Sequence, residues 1–238
     1  MATVKVFVPY GAVGLNCTEE AFEAGLAMKP DIISSDAGST DSGPYYLGSG
    51  HGKYSIRDVK RDLKRMVLGA HKLGIPMTIG SAGTCGSDEG VDMAYELICE
   101  ICEEAGIHKK IARIYSQQKP ELMKKKYLEG KVHALHGAPE ISEKTFDECS
   151  TIVALLGAEA YEEAFKNGAD IIIGGRSTDT AVMAAYPLMK AVIRHPAGMQ
   201  QKLWNAAVCA PVPDCRVVYS WILMRMDLPF ILFSREAR

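Results

Sequence analysis

Three short segments rich in glycine, hydroxyl and carboxylate side chains carry the chemistry that this sequence can offer. They are residues 36–50, 80–88 and 174–179. Aspartates can exchange protons or hold a cation, serines and threonines can hydrogen-bond a ligand, and glycines let the backbone approach it closely. The segments therefore predict a site for a small polar ligand. The alternative for residues 36–50 is an ordered Ω-loop that only covers the end of a sheet.

The third segment predicts an anion site. Gly174 and Gly175 can turn backbone N–H groups towards a ligand, and the N-terminus of the following helix favours negative charge. Arg176 can add a two-pronged contact to a carboxylate or phosphate. The alternative is that Ser177 or Asp179 only caps the helix and that Arg176 pairs with an acidic neighbour.

Candidate roles follow from the chemistry of each side chain. His51, between two glycines, and the aspartates are suited to proton transfer. The candidate catalytic residues are Asp36, Asp41 and His51. The candidate ligand-binding residues are Ser39, Thr40, Tyr45, Tyr46, Ser81, Gly83, Thr84, Gly174, Gly175, Arg176, Ser177 and Asp179. No cofactor is assigned, although Asp36, Asp41 and Asp88 can hold Mg²⁺, and carboxylate-rich loops also occur without a metal.

Familiar nucleotide motifs are missing from these segments. Residues 80–86 lack the Gly-Lys-Ser/Thr of a P-loop, and the first glycine turn, residues 11–14, lacks the three-glycine dinucleotide fingerprint. Cys85 can be acidified at a helix start, yet no histidine can be assigned to it from sequence. Cys99 and Cys102 lie mid-helix among apolar positions, where core packing is favoured over redox or zinc chemistry.

The elements that must position these segments alternate between short apolar strands and amphipathic helices. Strands are predicted at residues 4–9, 31–35, 76–80, 110–115, 131–136, 151–156 and 169–173. This alternation predicts an α/β fold with a mostly parallel sheet and flanking helices, either doubly wound and Rossmann-like or an incomplete (β/α) barrel. Because parallel strands end at one edge, the three segments are expected to converge there.

Composition limits the class of protein. The chain has 238 residues and a net charge of −2, so it lacks the basic surface of a nucleic-acid binder. No apolar run is long enough for a membrane span, and residues 1–5 do not resemble a signal peptide. Seven irregularly spaced cysteines predict reduced thiols and a cytoplasmic location.

Three motifs together resemble one family. DAGSTDSGPYYLG at residues 36–48, GSAG at 80–83 and IGGRSTD at 173–179 are similar to the acyclic terpene utilisation AtuA family, and the resemblance covers about residues 1–190. It implies a bacterial, cytoplasmic catabolic role on carboxylic acids or their CoA thioesters. It supplies no catalytic assignment, so the site residues above rest on loop chemistry alone.

The tail, residues 191–238, departs from this pattern. The DNA that encodes the tail can also be read in a frame in which each codon starts at the third base of the preceding one. In that frame four residues are the same for every possible choice of codons, and all four fit the family's continuation. The forced residues are Ala from Met199–Gln200, Glu from Trp204–Asn205, Asp from Trp221–Ile222 and Gly from Met226–Asp227. The hypothesis is that the tail is out of frame relative to a longer ancestor. The alternative is a natural divergent C-terminus with residues 217–233 packed as a strand or helix.

Two functional classes remain open at this stage. One is a lyase or hydratase acting on a small carboxylic acid or acyl-CoA. The other is a non-catalytic subunit or binding protein whose loops dock a catalytic partner. A homo-oligomer is compatible with both, whereas nucleic-acid and membrane partners are not expected.

Overall fold

Alternation of apolar and amphipathic segments produces a sheet with helices on both faces. The structure is a computed structural model that describes residues 4–38, 45–190, 220–224 and 231–234, the last two segments as backbone only. The strands are β1 Val4–Phe7, β2 Ile32–Asp36, β3 Met77–Gly80, β4 Ile111–Ile114, β5 Ile171–Gly174, β6 Ser220–Met224 and β7 Ile231–Ser234. The helices are α1 Glu19–Ala27, α2 Tyr45–Ser49, α3 Ile56–Leu73, α4 Asp88–Ala105, α5 Pro120–Leu128, α6 Glu143–Glu148, α7 Ala158–Lys166 and α8 Asp179–Lys190.

The strands form one sheet in the order β4-β5-β3-β2-β1-β6-β7. The pairs among β1 to β5 are parallel, and β6 and β7 join antiparallel beside β1. The predicted α/β fold with a mostly parallel sheet and flanking helices is therefore confirmed. Within the described residues, no helix is both long and apolar enough to cross a membrane.

Two of the predicted strands are wrong. Residues 131–136 contain no strand, and most of them are exposed. Residues 151–156 make only isolated bridges, from Val153 to Gln117 and from Leu156 to Ser177. Alternating polarity fits a strand only where a neighbouring strand can complete the hydrogen-bond ladder, and the sequence does not show whether such a neighbour exists.

Helix ends follow the signals in the sequence. Thr18 accepts a hydrogen bond from the amide of Ala21 and begins α1, and Ser55 accepts from the amide of Asp58 and begins α3. Gly74 ends α3 in the left-handed conformation, with φ 65°. Hydroxyl side chains thus begin these two helices, and a glycine ends α3.

The core lies on both faces of the sheet. Ile33 of β2 and Ile79 of β3 pack on one side with α1, α3 and α4. Ile172 of β5 packs on the other side with α7 and α8 through Tyr161 and Val182. Burial of each such isoleucine side chain contributes about 1.5–3 kcal/mol.

This arrangement creates a switch point in the topology. The chain moves outward from β3 to the edge strand β4, then returns so that β5 pairs with β3. Helix α4, which follows β3, lies on one face, and α8, which follows β5, lies on the other. The carboxyl ends of β3 and β5 therefore flank the position at which open α/β sheets bind ligands. We call it the β3/β5 crevice.

Candidate functional site

The three polar segments meet at the carboxyl edge of the sheet. The amide of Ala37, after β2, donates to the carbonyl of Gly80 at 2.8 Å. The amides of Ser81 and Ala82, after β3, donate to the carbonyls of Gly175 and Gly174 at 2.9 and 3.1 Å. The loops after three adjacent strands are thus bonded directly to one another.

Two glycines make this contact possible. A Cβ on Gly38 would overlap the carbonyl of Thr84, and a Cβ on Gly86 would overlap the main-chain nitrogen of Arg176. Gly86 also has a φ of +71°, a backbone conformation that residues with a Cβ rarely adopt. The loops after β2, β3 and β5 approach so closely that larger residues would separate them.

Asp36 is the buried acid of the β3/β5 crevice. It is 4% exposed. Its Oδ2 accepts from the amide of Gly38 at 3.2 Å, whereas Oδ1 has no hydrogen-bond partner among the described residues. Burial, followed by the nearby Asp179 carboxylate, raises the pKa of Asp36 to about 7, and the Ser81 hydroxyl and the Arg176 guanidinium offset part of that rise. Near neutral pH this carboxyl can therefore hold a proton and release it.

Arg176 is the cation of the crevice. Its side chain is 10% exposed, and its main-chain N–H donates to Ser116 Oγ at 2.6 Å. Among the described residues the guanidinium makes two long contacts, 3.5 Å to the carbonyl of Thr84 and 3.8 Å to Asp179 Oδ1. A guanidinium has five N–H donors. These contacts leave most of them without a close partner in the described part of the chain.

The predicted pairing of Arg176 with an acidic neighbour is present in weak form. Asp179 stands three residues along the chain, 48% exposed, and its oxygen lies beyond hydrogen-bond distance of the guanidinium. Such a pair contributes little, because solvent screens the exposed carboxylate. Arg176 therefore remains able to bind an anion.

The backbone amides after β5 do not have the role that the sequence suggests. The N–H groups of residues 175–178 all donate within the protein, to oxygens on Ile114, Gly86, Ser81 and Leu156. The expectation that Gly174 and Gly175 open these amides to a ligand is therefore wrong. The glycines are instead required by packing, since a Cβ on Gly174 would overlap the hydroxyl of Tyr161 and one on Gly175 would overlap Ser116.

Ser177 also points into the protein. It is fully buried, and its Oγ lies 2.6 Å from the hydroxyl of Tyr161 in α7 and donates to the carbonyl of Gly175 at 2.9 Å. Burial raises the pKa of Tyr161, so this phenol stays neutral. Ser177 ties the loop after β5 to α7. Nothing in the sequence around Tyr161 indicates this role.

The remaining ligand-binding candidates surround the crevice at different depths. Ser81 and Thr84 are buried in the loop after β3, with φ of +48° and +73°. Thr84 Oγ1 accepts from the amide of Lys53 at 2.9 Å, which brings the segment before α3 onto this loop. Gly83 packs against α4, because a Cβ there would lie 2.6 Å from the Cα of Gly90.

The outer candidates are less closely connected to Asp36. Tyr45 is exposed, and its ring meets that of half-buried Tyr46 edge-on at 5.3 Å. His51 is exposed and makes no hydrogen bond to Asp36 or Arg176 within the described residues. The predictions for Ser39, Thr40 and Asp41 lie outside the described residues.

The metal prediction stays open for the same reason. Across residues 4–38 and 45–190, no three His, Cys, Asp or Glu side chains come close enough together to hold a metal ion. Mg²⁺ bound through Asp41 depends on a residue that the structure does not describe.

Asp62 is a positioning residue that the sequence analysis missed. Its fully buried carboxylate accepts from the amides of Gly14 and Asn16 at 2.8 and 3.0 Å and from Arg61 Nε at 2.9 Å. It thereby fixes the turn after β1 against α3, and the amide of Val13 in that turn donates to the carbonyl of Asp36 at 2.9 Å. A charged residue on the buried side of an amphipathic helix is the signal that could have identified it.

Comparison with known proteins agrees with the resemblance in the motifs at residues 80–83 and 173–179, whereas the motif at residues 36–48 precedes the matched region. The model of the family "Acyclic terpene utilisation family protein AtuA" matches residues 55–190, which is more than half of the chain. The matched region contains the segments after β3 and β5. No curated protein matches the chain.

Proposed function

The chain belongs to the acyclic terpene utilisation AtuA family, and on that premise we propose that it binds a small carboxylic acid or acyl-CoA thioester in the β3/β5 crevice and acts on it as a lyase or hydratase. Membership of the family implies a catabolic role in acyclic terpene utilisation. The ligand class and the reaction are proposals from the chemistry of the crevice.

Arg176 is the observation that carries the proposal. The Arg176 side chain is 10% exposed, so its guanidinium has lost much of its hydration, and its contacts within the described residues, at 3.5 and 3.8 Å, are too long to replace it. Burial of a poorly paired charge is unfavourable unless a ligand completes the site. A carboxylate fits best, because its two oxygens match the fork of N–H donors.

Asp36 supports a reaction that moves a proton. Addition or elimination of water at an unsaturated carboxylic acid or its thioester adds or removes a proton at the carbon next to the carbonyl group. A general acid or base works best when its pKa lies near the working pH, and burial raises the pKa of Asp36 to about 7. Arg176 lies close enough to Asp36 to lower its pKa, so a ligand held by the guanidinium is expected to reach the acid.

A thermal-shift screen tests the proposal. The probes are CoA thioesters, di- and tricarboxylates and Mg²⁺, each with the wild type and with Arg176→Ala. At a ligand concentration 100 times Kd, binding adds about 2.7 kcal/mol of stability, or about 5–10 °C in Tm for a chain of this size. We expect a carboxylate or a thioester to raise the Tm of the wild type and not that of Arg176→Ala.

The matched control is Arg113→Ala. Arg113 is also an arginine near the end of a strand, but its side chain is 40% exposed and pairs with Asp92 at 2.8 Å. This variant should retain the full shift. No shift with any anion, together with a second protein that co-purifies with the chain, would overturn the proposal in favour of a non-catalytic subunit.

A further inference from the structure

A groove lies at the C-terminal end of α4, away from the loop that joins β3 to this helix. It occupies about 480 Å³ where α4 ends and the chain turns towards β4, and its lining includes Tyr95, Cys99, Cys102, Glu103 and His108. Two of the chain's seven cysteines thus face one open space.

The two thiols are neighbours on the helix. Cys99 and Cys102 are three residues apart in α4, so their Cβ atoms are about 5–6 Å apart. Cys102 is 7% exposed and packs in the core, as the sequence suggests, whereas Cys99 is half-buried and reachable from the groove. Both residues line the groove, so the two thiols border the same space.

Tyr95 forms part of the groove wall beside Cys99. It lies one helical turn before Cys99 in α4 and lines the same groove. The Arg113 guanidinium stands 4.4 Å from the centre of the Tyr95 ring and pairs with Asp92. The cation over the ring therefore helps to hold this wall of the groove in position.

This spacing suits a metal bridge better than a disulfide. A disulfide requires Cβ atoms about 3.5–4.5 Å apart, so its formation would distort the helix. Two metal–sulfur bonds of about 2.3 Å each span the wider gap between neighbouring helical positions. No third His, Cys, Asp or Glu in the described part of the chain is close enough to form a three-ligand site, so a tetrahedral protein site for zinc is not available.

From this geometry we propose that Cys99 and Cys102 bind a thiophilic, two-coordinate cation, Cu(I), between their sulfur atoms. Thiolate ligands select soft cations, and Cu(I) is stable with only two of them. Each thiol loses its proton to solvent on binding, so one Cu(I) replaces two protons and leaves an S–Cu–S unit with one negative charge. Lys109 lines the same groove, and its positive charge favours the negative charge of that unit.

Competition with a chromophoric Cu(I) chelator tests the site. The full chain is reduced and titrated with Cu(I) under anaerobic conditions, in a background where Cys209 and Cys215 are serine. We expect one Cu(I) per chain. Loss of either thiol should weaken binding by about 100-fold or more, because the second thiol acts within the same molecule.

Control variants distinguish Cu(I) binding by the Cys99–Cys102 pair from binding by a single cysteine. Cys149 is an exposed cysteine elsewhere in the chain, so Cys149→Ser should leave the affinity unchanged. Cys99→Ser tests the accessible thiol, and Cys102→Ala accompanies Cys102→Ser because a buried hydroxyl can destabilise the core. Wild-type affinity in the Cys99 and Cys102 variants, or the absence of any stoichiometric Cu(I) binding, would overturn the proposal.

Discussion

The buried carboxyl of Asp36 should make the stability of the fold depend on pH in an unusual direction. Most paired carboxylates have a lowered pKa and stabilise the fold above it. Asp36 has its pKa raised from 3.8 to about 7, mainly by burial. The folded state therefore holds this proton more tightly than the unfolded state does, and the contribution of Asp36 to stability falls as the pH rises from about 4 to 7.

The size of the effect follows from the shift. Each pKa unit corresponds to about 1.36 kcal/mol, so a rise from 3.8 to about 7 corresponds to about 4 kcal/mol. Ionisation of Asp36 should thus remove about 4 kcal/mol of the free energy of unfolding between pH 4 and pH 8. Asp36→Asn removes the titration and keeps a side chain of the same shape.

Urea unfolding at pH 4, 6 and 8 measures this difference. The free energy of unfolding of Asp36→Asn relative to wild type should increase by about 4 kcal/mol across this range, whatever its value at pH 4. Other titrating groups are common to both proteins and cancel in the comparison. A difference that stays constant with pH would refute the placement of Asp36 as a buried, protonated acid.

Further predictions concern the supports of the crevice and the origin of the tail. Asp62→Ala should lower the free energy of unfolding by about 3 kcal/mol because buried donors lose their acceptor; Glu23→Ala, which breaks an exposed pair, should cost less than about 1 kcal/mol by the same urea assay. Gly86→Ala should cost about 4 kcal/mol or more because its Cβ meets backbone. Its control Gly106→Ala has a similar φ of +64° and open space, and should cost about 1–2 kcal/mol, so equal losses would contradict the packing argument. If the tail is out of frame, the encoding DNA, read one base earlier from about residue 191, should encode the family's continuation. A shifted frame that does not encode this continuation would favour a natural divergent tail.

Convergence of the polar segments could be predicted because it depends only on parallel strands. Ser81 and Arg176 follow apolar runs in the sequence, and parallel strands end at one edge. The order of the strands could not be predicted, because β3 and β5 are uniformly apolar and their sequences do not indicate which strands they pair with. The switch point between them, and with it the position of the crevice, therefore emerged only from the structure.

The detailed chemistry was harder to predict than the location. Gly174 and Gly175 have the composition of an anion-binding loop. Tyr161 and Ser116, however, occupy the space beside these glycines, and main-chain oxygens of neighbouring segments accept hydrogen bonds from the N–H groups that follow β5. Such long-range partners leave no local signal. Asp36 was identified from its residue type, whereas its raised pKa depends on burial that only the packed structure provides.

Calorimetric titration of the tightest-binding carboxylate or CoA thioester is the most direct test of the crevice as an anion site. Wild type, Arg176→Lys and Arg113→Lys are compared under identical conditions. Because lysine keeps the charge and loses the fork of donors, Arg176→Lys should bind about tenfold more weakly or worse, and Arg113→Lys should match wild type. Equal affinity in all three proteins would contradict the assignment of Arg176 as the group that holds the ligand.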